Sequence, residues 1–343
     1  MLEMKDRSGR HLGVQDRTNA RIGSTQMMHV APQCTTVDGV LNINKEAGWT
    51  SHDVVGQVRH LLGGMKVGHA GTLDPMATGV LPVLVGRATR LAEYLLEWDK
   101  EYEAVLRLGE TTDTQDATGT VLEHRSTDGV TPDGLNGVIA RFRGPLEQVP
   151  PMYSAVKVGG VPLYKAARAG KTIAREPRTI VLHSLEVVAL YERDVTLRVV
   201  CSKGTYVRTL CADIGEALEV GGHLRSLVRT RVGPFSLGQA LTVNDLATHH
   251  ARGRLHHDLH SMDQVLDWLP SVEVDDQAAA RAKHGVPVSP ERVVSGREAA
   301  VGAKPGTAIR IHDSRGRLVA IGRFPDSRSQ TIRIEKVLLS KNS

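Results

Sequence analysis

Asp74 is the residue of this sequence whose surroundings best fit a catalytic carboxylate. It lies in the loop from Gly71 to Gly79, GTLDPMATG, with a proline directly after it and a glycine at either end. These residue types restrict or redirect the backbone, so the loop holds the carboxylate in a fixed position. A fixed, ionised carboxylate can act as a nucleophile or as a base. Because aspartate before proline is also an ordinary turn residue, the spacing alone favours an Asp74 that simply caps the turn.

Arg208 is the cation that could pair with this carboxylate. It is predicted to lie in the first turn of a helix, where the helix dipole disfavours positive charge. A cation in this place indicates an anionic partner, and a neighbouring cation typically lowers the pKa of an aspartate by about 1–3. We therefore expect an Asp74–Arg208 pair with an ionised carboxylate. The alternative, an arginine that faces solvent, costs roughly a few tenths of a kcal/mol and stays open.

Two ring-bearing residues near these segments could contact a substrate. Tyr102 falls on the apolar face of a predicted strand, so it is either a core aromatic or a surface on which a flipped base stacks. His69, two residues before the loop, could be an acid or base, a wedge, or an exposed turn residue. Basic side chains beside these segments could hold phosphates; they are Lys45, Lys66, Arg87, Arg90, Lys157 and Lys203.

The periodicity of apolar residues predicts the elements that position these groups. Strands are expected at 39–43, 81–85, 102–108 and 195–201, and helices at about 54–62, 88–96 and 207–218. A polar segment lies near 111–135, and Pro150 to Lys157 reads as an extended, proline-stiffened stretch. Together these elements predict an α+β fold.

Length and composition predict several domains in one chain. With 343 residues, 41% of them hydrophobic, the chain can bury more than one core. We expect a disordered leader at 1–37, a catalytic domain at 38–267 and a small, mostly β domain at 268–343, after a histidine-bearing connector. The last domain should contain a helix at 276–283 and strands at 308–311, 317–321 and 332–337.

Other features of the composition restrict the function classes. Apolar runs are too short for a membrane helix or a secretory signal, so we expect a cytoplasmic protein. Three widely spaced cysteines argue against a disulfide framework or structural zinc, and we expect no metal and no cofactor. A net charge of +5 is compatible with a polyanionic partner. Aromatic residues make up 3% of the chain, so any base contacts must come from a few rings.

Five stretches, in this order, resemble the TruB family of tRNA pseudouridine synthases. They are Asn44 to Ser51 (NKEAGWTS), Val67 to Pro82 (VGHAGTLDPMATGVLP), Lys100-Glu101-Tyr102, Pro150 to Lys157 with Leu163-Tyr164, and Ser202 to Leu210 (SKGTYVRTL). The resemblance runs from about 39 to 245, and the Asp74 loop is its most specific part.

The resemblance implies a role for each of these residues. Asp74 is similar to the catalytic aspartate, Arg208 to its ion-pair partner, and Tyr102 to the ring that stacks on the flipped uracil. His69 is similar to the histidine that props the opened tRNA loop, and Tyr206 and Leu227 to residues that line the pocket. Lys45 and Lys203 are expected to contact the substrate.

The implied reaction is the isomerisation of uridine 55 in the T-loop of elongator tRNAs, by a monomer and without metal or cofactor. The implied fold is a mixed, mainly antiparallel sheet with flanking helices, followed by a C-terminal PUA-like β-barrel. The resemblance leaves open whether the aspartate attacks the sugar covalently or takes a proton from it.

Two other classes of function compete with this interpretation. A tRNA-binding or RNA-folding protein without turnover would have a similar surface but would need neither Asp74 nor Arg208. A phosphate-binding hydrolase is disfavoured, because Gly71 to Gly79 lacks the Gly-x-x-x-x-Gly-Lys-Ser/Thr arrangement.

Overall fold

The computed structural model describes residues 37–154, 156–296, 304, 306–324 and 331–339. The leader predicted at 1–37 lies outside the described residues, except for Val37. None of the helices in the described chain has the length and apolar character needed to cross a lipid bilayer.

The described residues contain nineteen β-strands. They are β1 (Gly39–Lys45), β2 (Val67–His69), β3 (Thr78–Val85), β4 (Lys100–Leu108), β5 (Glu110–Thr112), β6 (Val121–His124), β7 (Gly144–Gln148), β8 (Lys157–Val158), β9 (Val161–Pro162), β10 (Arg178–Tyr191), β11 (Asp194–Cys201), β12 (Gly222–Val232), β13 (Phe235–Ser236), β14 (Leu259–His260), β15 (Ser271–Val274), β16 (Val293–Ser295), β17 (Ala308–His312), β18 (Leu318–Arg323) and β19 (Arg333–Val337).

Eight α-helices accompany them in the same part of the chain. They are α1 (Ser51–Leu61), α2 (Ala92–Leu96), α3 (Pro132–Arg141), α4 (Leu163–Arg168), α5 (Val207–Ala217), α6 (Val243–Ala251), α7 (Leu255–Asp258) and α8 (Asp276–Ala282).

A mixed, mainly antiparallel sheet forms the larger part of the fold. Its strand order is β14-β1-β3-β12-β4-β11-β10-β7, with β2 added beside β3 and β13 beside β12. The central pair β3 and β12 runs parallel, with Thr78 opposite Val228 and Gly79 opposite Arg229. On its other side β12 runs antiparallel to β4, with Arg229 opposite Tyr102. In this register Arg229 of β12 lies between Gly79, at the end of the Asp74 loop, and Tyr102.

Helices α1 and α5 cover this sheet where the candidate residues lie. A capping box starts α1, because the Asp53 amide donates to the Thr50 hydroxyl and the Thr50 amide donates to the Asp53 carboxylate. The predicted apolar face of α5 is buried, including Leu210 and Ile214. That burial fixes the rotation of α5 and therefore the direction of Arg208.

The C-terminal part forms a separate five-stranded sheet in the order β16-β15-β17-β18-β19, consistent with a PUA-like domain. Its core includes Val274, Ile309, Ile311 and Val319. The predicted α+β class, with a mainly antiparallel sheet and a second β domain, is confirmed.

Three local predictions differ from the structure. The segment predicted as one helix at 88–96 begins with a 3-10 helix over Gly86–Leu91, and only its second half is α2. The polar segment 111–135 contains the β5–β6 hairpin and the start of α3, for which Thr131 is the N-cap. Strand β12 was not predicted, because its several arginines hide the alternation of apolar residues that marks a strand.

Gly79 marks the closest approach between the Asp74 loop and the neighbouring strand. Its φ is +103°, and a Cβ at this position would lie 2.2 Å from the carbonyl oxygen of Arg229 and 2.8 Å from its amide nitrogen. Both the backbone conformation and the space therefore require glycine.

We expect Gly79→Ala to lower the free energy of unfolding by about 2–4 kcal/mol, because backbone strain and a clash with the β12 backbone act together. Urea unfolding of the full chain measures the loss. The matched control is Gly63→Ala, where φ is +64° but a Cβ would meet no atom within 4 Å. That control should lose only about 1 kcal/mol. Equal losses in the two variants would contradict the close packing of the loop against β12.

Candidate active site

Lys45 links the Asp74 loop to the segment that follows β1. Its side chain is fully buried, and its Nζ donates to the carbonyl oxygens of Glu46 at 3.0 Å, Trp49 at 2.7 Å and Pro75 at 3.3 Å. Burial lowers the pKa of Lys45 to about 8, although nearby Asp74 opposes the shift. All three donors of the ammonium group are used by backbone carbonyls, so the prediction that Lys45 contacts a phosphate is wrong. Its position fits a structural brace of the loop.

Ser51 and Arg229 hold the loop at two further points. The buried Ser51 hydroxyl accepts a hydrogen bond from the Leu73 amide at 2.9 Å and donates to the Leu73 carbonyl at 3.2 Å. Arg229, 1% exposed, donates from Nη2 to the Gly71 carbonyl at 2.9 Å and from Nε to the Val80 carbonyl at 2.7 Å. The residues flanking Asp74 are thus fixed on both sides, so the carboxylate has a defined position.

Arg208 and Asp74 form an ion pair across the site. The Nε of Arg208 lies 2.9 Å from Oδ2 of Asp74, and its Nη2 lies 3.5 Å from Oδ1. The Arg208 side chain is 6% exposed, whereas that of Asp74 is 37% exposed. The guanidinium therefore holds the carboxylate from the protein side and leaves its other side accessible from solvent.

Asp116 is a second carboxylate on the same guanidinium, and the sequence did not single it out. Its Oδ2 lies 3.4 Å from Nη1 of Arg208, and its Oδ1 accepts hydrogen bonds from the hydroxyls of Thr114 at 2.8 Å and Thr118 at 2.6 Å. Arg208 also donates from Nη2 to the Tyr153 carbonyl at 2.8 Å. Partners on several sides fix the plane of the guanidinium.

The balance of these charges sets the protonation of Asp74. Burial raises the pKa of this carboxyl, Arg208 lowers it, Asp116 raises it again and Lys45 lowers it, with a net upward direction. The expectation that the ion pair holds the pKa of Asp74 below its usual value is therefore wrong. The loss of water around the loop and the second carboxylate together outweigh the two cations.

Tyr102 and Leu227 form an apolar wall beside the loop. Both side chains are buried, and they belong to the same hydrophobic cluster as Leu73 and Ala77 of the loop. Burial raises the pKa of Tyr102, although nearby Arg229 lowers it. The phenol therefore stays neutral, with its ring among apolar groups.

Tyr206 stands at the N-cap of α5, two residues before Arg208. The buried side chain of Gln148 holds its backbone in both directions: the Tyr206 amide donates to Gln148 Oε1 at 2.8 Å, and Gln148 Nε2 donates to the Tyr206 carbonyl at 3.1 Å. Burial raises the pKa of Tyr206. The two hydrogen bonds with Gln148 tie the start of α5 to β7.

His69 lies at the end of β2, just before the loop. Its ring packs edge-on against His52, with 5.6 Å between the centroids. Burial lowers the pKa of His69 to about 4, helped by nearby His52 and Arg229. Its Nδ1 is buried and has no hydrogen-bond partner among the described residues. A neutral ring in this setting suits packing against a base or sugar better than donation of a proton.

Lys203 has a different environment from the residues above. It lies in the turn after β11, and its Nζ forms an ion pair with Glu97 at 2.5 Å, with both side chains more than half exposed. An exposed pair of this kind contributes little to stability and exchanges readily. Contact between Lys203 and a substrate stays a prediction.

The geometry brings together Asp74, Arg208, Tyr102 and Leu227, with Tyr206 at the start of α5 and His69 just before the loop, and it adds Asp116, Arg229, Ser51 and Gln148. The arrangement presents one accessible carboxylate, paired with a buried guanidinium, beside an apolar wall that contains an aromatic ring. A ring system could lie on this wall while the carboxylate reaches an adjoining carbon atom.

The chain matches two family models. Residues 59–207 match the TruB family pseudouridylate synthase (N terminal domain), and residues 208–269 match the tRNA pseudouridylate synthase B C-terminal domain. The Asp74 loop and Tyr102 fall in the first match, and Arg208 begins the second.

Curated relatives match over most of their length. The tRNA pseudouridine synthase B of Symbiobacterium thermophilum is 52% identical over 253 residues, which cover 73% of this chain and 83% of the relative. The protein of the same name from Pseudomonas aeruginosa is 42% identical over 295 residues, or 85% of this chain and 93% of the relative.

A solved structure extends the similarity to three dimensions. A chain in the crystal structure of a Cbf5-Nop10-Gar1 complex is 31% identical, with a TM-score of 0.70 over 89% of this chain and 86% of that chain. The family models span the Asp74 loop and Arg208, and the curated relatives match over most of their length, so the chain belongs to the TruB family of pseudouridine synthases.

Proposed function

We propose that this protein isomerises uridine 55 in the T-loop of elongator tRNAs to pseudouridine, with Asp74 as the catalytic carboxylate. The observation that carries the proposal is the ion pair between the accessible Asp74 and the buried Arg208, with 2.9 Å between Oδ2 and Nε. The names of the relatives support tRNA as the substrate. A cytoplasmic location, which we also propose, is consistent with a tRNA substrate.

The reaction exchanges one bond of the ribose for another. The bond from C1′ to N1 of uracil breaks, the base turns, and a bond from C1′ to C5 forms, while C5 gives up its proton and N1 gains one. The ionised Asp74 either attacks C1′ or takes a proton from the sugar. Both routes use the same carboxylate, oriented by Arg208.

The target uridine must leave its stack before Asp74 can reach it, which costs a few kcal/mol. Tyr102 offers a ring on which the flipped uracil stacks, and Leu227 and Tyr206 line the same pocket. The neutral ring of His69 props the opened T-loop. These contacts offset the cost of flipping.

We expect Asp74→Asn to abolish isomerisation of a T-stem-loop RNA while RNA binding stays within about tenfold of wild type, or ~1.4 kcal/mol. The amide is nearly isosteric but is neither a nucleophile nor a base. Pseudouridine formation and binding affinity are measured on the same RNA. Turnover at the wild-type rate would refute the role of Asp74, whereas lost binding would indicate a misfolded pocket.

We expect Arg208→Lys to slow the reaction by roughly 30-fold, about 2 kcal/mol, because a point donor cannot replace a planar fork with partners on several sides. The matched control is Arg107→Lys. Arg107 also forms a two-point pair, with Asp194 at 2.8 and 3.0 Å, at the other end of β4. The control should retain its rate; equal rates in the two variants would mean that Arg208 has only a structural role.

The pH dependence of turnover should follow the ionisation of Asp74. Because burial raises the pKa of this carboxyl and the ionised form is the active one, the acidic limb of kcat/KM should lie above the pH at which an ordinary aspartate titrates. Asp116→Asn removes a negative charge that raises this pKa, so the limb should move to lower pH.

The control for this shift is Asp113→Asn, in the same segment, where the carboxylate accepts the Thr120 amide instead. Its limb should match that of wild type. A limb that moves to higher pH in Asp116→Asn would contradict the proposed charge balance.

A further inference from the structure

A second concave surface lies away from the Asp74 loop. A cavity of about 430 Å³ opens between the 3-10 helix Gly86–Leu91 and the C-terminal sheet domain. Its walls carry the basic side chains of Arg87, Arg90, Lys283 and His284, with Val337 and Leu339 as an apolar part. Among the described residues that line it there is no acidic side chain.

Arg87 is held by an ion pair with Asp38, with 2.5 Å between Nη2 and Oδ2. Its Nε donates to Asp38 Oδ2 at 2.7 Å, and its amide donates to Asp38 Oδ1 at 2.6 Å. Its Nη1 is buried and has no hydrogen-bond partner within the described chain. Because this nitrogen has almost no accessible surface, the positive charge in the cavity wall that a ligand can reach comes mainly from Arg90 and Lys283.

Arg90 links the two walls of the cavity, the 3-10 helix Gly86–Leu91 and the C-terminal sheet domain. Its Nη1 donates to the carbonyl oxygen of Val337 in β19 at 2.5 Å, so its guanidinium is held at the junction. Lys283 and His284 follow directly after α8, on the other wall. Side chains from two separate parts of the chain therefore direct positive charge into one concavity, which concentrates anions from solution.

The chemistry of the lining fits a phosphate group. Arginine offers several donors in a plane that match phosphate oxygens, and lysine adds a point charge. The apolar residues Val337 and Leu339 can contact a sugar. In a phosphodiester joined to ribose, the phosphate can contact the basic side chains and the sugar can contact the apolar ones.

The cavity lies at the far end of β3 from the active site. Strand β3 begins at Thr78, directly after the Asp74 loop, and ends at Val85, two residues before Arg87. Eight residues of strand span roughly 23 Å. An RNA whose uridine lies at Asp74 must extend beyond its loop to reach the cavity.

We propose that this cavity binds a backbone phosphate of the tRNA substrate, as a second anchor remote from the flipped uridine. The proposal rests on the proposed function, because it takes tRNA as the ligand. Such an anchor contributes to affinity and register without taking part in the chemistry, since phosphate contacts position the RNA.

Arg90→Gln tests this proposal in the full-length protein. The affinity for a full-length tRNA transcript is measured at several salt concentrations, together with kcat at saturating RNA. We expect roughly fivefold weaker binding near 0.1 M salt, a salt slope smaller by about 0.7–0.9, and an unchanged kcat. Lys283→Gln should show the same changes. It replaces Arg90→Gln as the test variant if the loss of the Arg90–Val337 hydrogen bond destabilises that protein.

The matched control is Arg315→Gln, which removes one positive charge from the exposed turn between β17 and β18 of the same domain. The proposal is overturned if both cavity variants bind tRNA with wild-type affinity and salt slope, or if the control weakens binding equally. A wild-type protein that binds tRNA but does not isomerise it would refute the proposed function. The affinities and salt slopes of the variants would still test whether the cavity binds tRNA.

Discussion

The ion pair between Asp74 and Arg208 joins two segments that are 134 residues apart in the chain. The Asp74 loop leads into β3, and Arg208 lies in the first turn of α5, directly after β11. The strand order β3-β12-β4-β11 places these two strands on either side of β12 and β4. The pair therefore forms only when the central four strands are in register, so the geometry of the proposed site depends on the assembly of these strands.

Several buried charged side chains lie around this ion pair. Three buried cations, Lys45, Arg208 and Arg229, lie near two carboxylates, and most of their donors are used by backbone carbonyls. Such cations act as fixed links between segments, because an unpaired buried charge would be costly. Asp74 alone combines substantial exposure with this rigid frame, which suits a group that must meet a substrate. The upward direction of its pKa reflects the loss of water that accompanies such a frame.

Much of the site could be predicted from sequence because five ordered segments of the chain resemble one family. Arg208, a cation in the first turn of a helix, also indicates an anionic partner elsewhere, whereas the turn residues around Asp74 alone favour a capping role. Asp116 and Arg229 gave no such signal, since one lies in a polar segment and the other in an arginine-rich strand. Lys45 was predicted to contact the substrate because lysine is ordinarily exposed. Only the tertiary structure reveals the three carbonyls around its Nζ. The pKa of Asp74 likewise depends on burial, which the sequence does not specify.

The central claim is that one carboxylate in this frame isomerises one uridine of tRNA. Its most direct test is to incubate the protein with a full-length elongator tRNA transcript, map every pseudouridine formed, and repeat the mapping with cytidine in place of uridine 55. The account predicts a single pseudouridine at position 55 in the first RNA and none in the second. Pseudouridine at another position that persists in the substituted RNA, or no product in either, would contradict it.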